Sequence, residues 1–164
     1  MNRKKPYLRT CGKWYNMPNY NVEYSISIET ARDTARREIA KVAARVTDDK
    51  GVPLYDLVKS YRNDTFIVDG FVGDSLRQVL SRFPDVCRLE KEGDSYTLSF
   101  YIPDFDYNMS DIAEDELKRF VGLQVTALWL ATRYNAFAQF YTEQASASME
   151  RLVVLLRTRK APAR

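Results

Sequence analysis

Phe120-Val-Gly-Leu-Gln-Val-Thr-Ala-Leu-Trp-Leu-Ala131 is the stretch that decides the fold class. Phe120, Val121, Leu123, Val125, Ala127, Leu128, Trp129, Leu130 and Ala131 cover nearly the whole circumference of a helix running from about Asn108 to Tyr134. A helix that is apolar on most sides must be covered on most sides, by its own chain or by neighbours. The expectation is a mainly α protein, a helical bundle around this long apolar central helix. No run of about 18 uncharged apolar residues exists, so no segment is expected to span a bilayer.

Working outward, a break near Asn135 precedes a closing helix that carries Phe137, Phe140 or Tyr141, Ala145, Ser148, Leu152, Leu155 and Leu156. It ends in Arg157-Thr158-Arg159-Lys160-Ala161-Pro162, where cations suit the helix C-terminus and proline prevents continuation. Upstream, Asp104, Asp106, Asp111, Glu114, Asp115 and Glu116 crowd the loop and first turn before the apolar helix, where acids answer the macrodipole. Their spacing lacks the sixth-position Gly and twelfth-position Glu of a calcium loop.

Residues 86–102 read as a hairpin, with Tyr96, Leu98, Phe100 and Ile102 alternating and Glu92-Gly93-Asp94 as its turn. A two-stranded hairpin is marginal alone, so its apolar face should lie on helices or on another subunit's sheet. Before it, Val68, Val72, Leu76, Val79 and Phe83 form the stripe of a helix over 65–83, capped by Asn63-Asp64. Gly70 and Gly73 inside that helix mark either a weak point or close packing. A short helix over 54–61 opens after Pro53. A longer one begins at Thr30, with Asp33 completing a capping box, and carries Ala31, Ala35, Ile39, Val42 and Val46 on one face.

The first 28 residues have no helical period. They hold Tyr7, Trp14, Tyr15, Tyr20 and Tyr24 and end in a half-buried strand pattern, Val22 to Ile28. The organisation expected is an extended aromatic arm over 1–28 and a single helical domain over 29–164. The arm folds back on its own core or docks on a neighbour, because Tyr and Trp supply large rigid contact area.

At 164 residues and 45% hydrophobic composition, the chain suits one domain and is too apolar for a disordered or low-complexity protein. Its net charge of +3 is unevenly spread. Residues 1–14 contribute Arg3, Lys4, Lys5, Arg9 and Lys13, and residues 151–164 contribute Arg151, Arg157, Arg159, Lys160 and Arg164, with no acid in either stretch. That leaves 15 of the 25 basic residues against all 22 acidic ones in the body. Such stretches are solvated tails, or they reach polyanionic or acidic surfaces, including nucleic acid or the body of a neighbouring copy.

The catalytic inventory is thin. With no histidine, Ser-His-Asp and Cys-His arrangements and imidazole metal sites cannot be built. Cys11 and Cys87 are far apart and read as small hydrophobes rather than a disulfide pair in a cytosolic protein. No phosphate-binding glycine loop is present, the basic Met1-to-Pro6 start lacks the apolar run of a secretory signal, and no cofactor or metal is expected. A carboxylate hydrolase would need two acids facing one cleft.

The order arm, helix, short helix, helix, hairpin, apolar helix and basic-ended closing helix resembles the small head–tail connector (adaptor, or head-completion) proteins of long-tailed bacteriophages, particularly those of Bacteroidetes phages and prophages. The likeness rests on Thr34-Ala-Arg-Arg-Glu-Ile-Ala-Lys-Val-Ala-Ala-Arg45, on Leu54-Tyr55-Asp56, on Leu123 to Ala131 with Trp129, and on the closing pattern from Tyr141 to Pro162. It covers about residues 24–162 in layout. The resemblance implies a non-enzymatic virion protein of the phage neck, assembled in the host cytoplasm. It would form a homo-oligomeric ring, commonly of twelve, that extends the DNA channel beneath the portal protein and docks tail or neck proteins.

Non-specific contact with packaged DNA would accompany that role. A tail-completion or minor tail protein is one alternative, and a basic-tailed nucleic-acid-binding module is another. The residues expected to meet partners are Tyr7, Trp14, Tyr15, Tyr20 and Tyr24 in the arm and Arg157, Arg159, Lys160 and Arg164 at the other end.

Overall fold

The computed structural model describes residues 20–47, 50, 51 and 53–160. Among them the chain is mainly helical, with five α-helices and a small three-stranded antiparallel sheet. Its elements run β1 (Val22–Ser27), α1 (Ile28–Arg45), α2 (Asp56–Asn63), α3 (Thr65–Arg82), β2 (Cys87–Glu92), β3 (Ser95–Phe100), a short 3₁₀ turn (Tyr107–Met109), α4 (Ser110–Ala131) and α5 (Asn135–Arg157).

The expected hairpin forms, but as part of a sheet ordered β1-β3-β2. Residues 22–27, assigned to the arm from the sequence, are an edge strand of the domain, in register from Val22 opposite Phe100 to Ser27 opposite Ser95. Val22, Tyr24 and Ile26 alternate into the core. The strand pattern was visible in the sequence, but its partner residues lie 68 to 78 positions away along the chain, beyond the reach of local pattern. The sheet's apolar face rests on this chain's own helices, with Leu98 and Phe100 fully buried.

α1 starts two residues earlier than expected, and its cap is Ser27, whose side chain accepts the Thr30 N–H at 3.4 Å. The α3 stripe Val68, Val72, Leu76, Val79 and Phe83 is buried as spaced. Its two glycines differ. A Cβ on Gly73 would lie 2.9 Å from the Tyr96 hydroxyl, whereas Gly70 faces open space. Gly73 therefore marks close packing of α3 on β3, and Gly70 does not.

α4 packs along α5 and against α1 and α3. Its second half is buried at Phe120, Val121, Gly122, Val125, Thr126, Ala127, Trp129 and Leu130, while Leu123 and Leu128 are half-buried and Ala131 is exposed. Gly122 lets α1 approach, because a Cβ there would run into Thr34 Cγ2. α5 buries Ala138, Tyr141, Ala145, Ser148, Met149, Leu152, Val153 and Leu156, with Tyr141 chosen over Phe140, which is 53% exposed. Phe137 and Leu155 are only half-buried. No helix among the described residues is long and apolar enough to cross a membrane.

Candidate functional site

Two regions gather chemistry. The first surrounds α2. Asp64, where α2 meets α3, was expected to cap α3, but its side chain makes no cap hydrogen bond. Asp64 Oδ2 instead accepts from Trp129 Nε1 at 2.9 Å and from Arg133 Nη2 at 2.8 Å. Arg133 also stands 5.7 Å from the Trp129 ring centroid, and Tyr61 meets that ring edge-on at 5.5 Å. The Trp129 indole is almost wholly buried, so its N–H needs an acceptor more than the exposed α3 terminus does.

Beside it lies a shallow cleft of about 110 Å³ lined by Arg32, Asp33, Arg36, Tyr61, Arg62 and Thr65. Arg32 grips Asp69 through Nε and Nη2, each at 2.5 Å, Arg36 pairs with Asp33 at 3.1 Å, and the Tyr61 hydroxyl donates to the Arg32 carbonyl at 2.9 Å. The hydrogen bond to Asp69 holds the Arg32 guanidinium charged, its pKa raised further, and burial pushes the Tyr61 phenol upward. A second recess is lined by Leu54, Asp56, Leu57, Ser60, Arg133 and Tyr134. Each recess has a single carboxylate in its lining, so neither provides the paired acids of a carboxylate hydrolase. Among the described residues no three His, Cys, Asp or Glu side chains could hold a metal ion together.

The second region is the loop between β3 and α4. Asn21 grips it with both side-chain atoms, donating from Nδ2 to the Ile102 carbonyl at 2.7 Å and accepting the Ile102 N–H on Oδ1 at 2.8 Å. The Tyr107 hydroxyl donates to the Asn21 carbonyl at 3.2 Å. From the other end, the Lys160 N–H donates to the Asp104 carbonyl at 2.9 Å and the Asp106 N–H to the Thr158 carbonyl at 3.4 Å, a bridge between Phe105 and Arg159. Asp104 turns the loop at a φ of +55°, a left-handed conformation that aspartate tolerates.

Of the expected contact residues, Tyr7, Trp14, Tyr15 and Arg164 lie outside the described residues. Tyr20 is half-buried, and Arg157, Arg159 and Lys160 are exposed. Tyr24 belongs to the core: it is 2% exposed, 3.4 Å from the Ser110 hydroxyl, and its phenol pKa is raised by burial. Its assignment to a partner-binding arm is therefore corrected, since strand alternation turns it inward with Val22 and Ile26. Sequence reasoning missed Asn21 and Tyr107, whose roles depend on contacts across more than 80 residues. It also missed the Arg32–Tyr61 cleft, although the off-stripe arginines of α1 were visible.

Comparison with known proteins finds no matching family model, no similar curated protein and no similar solved structure.

Proposed function

We propose that this chain is a structural protein of a phage neck, one subunit of a homo-oligomeric ring between portal and tail that extends the DNA channel. The observation that carries the reading is the uncovered apolar surface on separate elements. Phe66 and Ile67 in the first turn of α3 are 90% and 49% exposed, Tyr55 before α2 is 64% exposed, and Phe140 and Val154 on α5 are 53% and 66% exposed. A ring is built from heterologous contacts, each using two different surfaces of every subunit. Burying a ring such as that of Phe66 against a neighbour is worth about 1.5–3 kcal/mol.

In this reading α4 is the axis of each subunit's bundle. The exposed Arg157, Arg159 and Lys160 face the portal or a neighbour. The protein performs no catalysis, binds no cofactor and resides in the virion after assembly in the host cytoplasm. Native mass spectrometry and electron microscopy of the full chain, alone and with its portal protein, are the test. Rings are expected, and Phe66→Ser should weaken them without unfolding the subunit. A monomer under every condition would overturn the proposal. A gene beside the tape-measure gene, rather than beside portal and major capsid, would move the protein from the neck to the tail.

A further inference from the structure

β2 is an outer strand of the sheet, bonded to β3 along one side. The Tyr101 N–H donates to the Val86 carbonyl at 2.7 Å, one step beyond the pair Cys87 and Phe100. Bonded and non-bonded pairs alternate along an antiparallel ladder, so Arg88 and Glu90 spend their backbone groups on β3. The N–H and C=O groups of Cys87, Leu89 and Lys91 point out of the sheet, and among the described residues they meet no partner. A row of that kind is a template for another strand. The side chains divide in the same rhythm. Cys87 and Leu89 are half-buried against the core, and Arg88 and Glu90 are exposed on the solvent face.

We propose that this edge pairs with the same edge of a second copy, antiparallel about a two-fold axis at Leu89, which joins the two sheets into one. The charges choose the register. A symmetric pairing that keeps apolar side chains on one face must be centred on a residue, since a slip of one position turns a strand over. Centring on Arg88 sets that residue opposite itself, centring on Glu90 does the same for Glu90, and centring on Lys91 sets Glu90 opposite Glu92. Centring on Leu89 sets Arg88 of each copy opposite Glu90 of the other, in the close, non-bonded positions where side chains interact most. The same register lets the open groups of Leu89 bond their counterparts, and those of Cys87 bond those of Lys91. In the free strand Arg88 pairs with its own Glu90, and across the axis each finds the same group on the other copy, so no charge is stranded. Charges on an edge ordinarily keep strands apart, and here they repel the competing symmetric registers while favouring one. This contact is isologous, unlike the heterologous contacts of a ring, so it goes beyond the neck reading and does not depend on it.

Sedimentation velocity of the full chain, of Arg88→Glu, of Glu90→Arg and of the double swap tests it. The unaltered chain should self-associate. Each single swap sets like charges opposite each other on both sides of the axis and should weaken that association about tenfold or more. The double swap rebuilds both pairs in reverse and should recover it, and the two single variants mixed together should associate although neither does so alone. Lys91→Pro removes an outward N–H without touching a bond to β3 and should weaken association too. Circular dichroism checks that each variant is folded. A monomer at every concentration would overturn the pairing, as would single swaps that associate like the unaltered chain or a double swap no better than the singles. Rings that survive both single swaps would remove this contact and leave the neck reading standing. Dimers that follow the swaps, with no larger species, would do the reverse.

Discussion

Trp129 Nε1 donates to Asp64 Oδ2 at 2.9 Å, so the buried indole of α4 is satisfied by the residue at which α2 turns into α3. One carboxylate thereby ties the bundle's interior to its corner and also holds Arg133.

Removing that acceptor should be costly. Asp64→Ala leaves a buried N–H without a partner, and a loss of about 1–3 kcal/mol is expected in urea denaturation. Asp64→Asn keeps an acceptor for Trp129 while losing the charge on Arg133, an exposed pair worth about 0–1 kcal/mol. It should therefore retain most of the stability, and equal losses in the two variants would refute a hydrogen-bond origin.

Two of the interior helix glycines, Gly122 and Gly70, should respond oppositely to alanine. Gly122→Ala pushes a methyl into Thr34 and should cost about 1–3 kcal/mol. Adding Thr34→Ser removes the obstructing Cγ2 and should restore much of the loss. Gly70→Ala points into open space on a helix and should stabilise by about 0.4–1 kcal/mol. Thermal melts of the three variants read all of this.

Asn21→Leu removes both bonds to Ile102. Hydrogen exchange should show the Ile102 amide losing protection while the Leu98 amide, in the middle of the sheet, keeps it. Loss at both positions would mean that Asn21 supports the sheet rather than the loop.

Alkaline pH should weaken the fold. Burial, reinforced by the Glu38 carboxylate, raises the Tyr141 phenol from 10.0 to about 12, and burial likewise raises Tyr61 and Tyr24. In the unfolded chain these phenols ionise near 10, so it binds fewer protons than the folded protein above that pH. Stability is full below pH 10 and falls as pH rises from 10 toward 12, which urea midpoints across that range will show. Tyr141→Phe should flatten part of the decline.

Helix periodicity gave α1, α3, α4 and α5 because each buries a stripe written locally, as in Val68, Val72, Leu76 and Val79. It missed the Asp64 role because a capping signal and a long-range acceptor are the same residue in sequence. It also separated Tyr24 from the core, since a strand pattern does not name its partner. For the candidate site, the off-stripe arginines of α1 were legible as residue types, and the cleft they form with Tyr61 was not.

The sequence alone determined the helical class, the hairpin, the absence of imidazole chemistry and the acid-free basic stretches at residues 1–14 and 151–164. These follow from composition and from periods shorter than a single helix. Only the tertiary structure decided that β1 completes the sheet, that Trp129 reaches Asp64, and that Asn21 and Lys160 both fasten the loop around Ile102 and Asp104. Each of those is a contact between residues at least 50 positions apart, fixed when the helices pack and invisible in any local pattern.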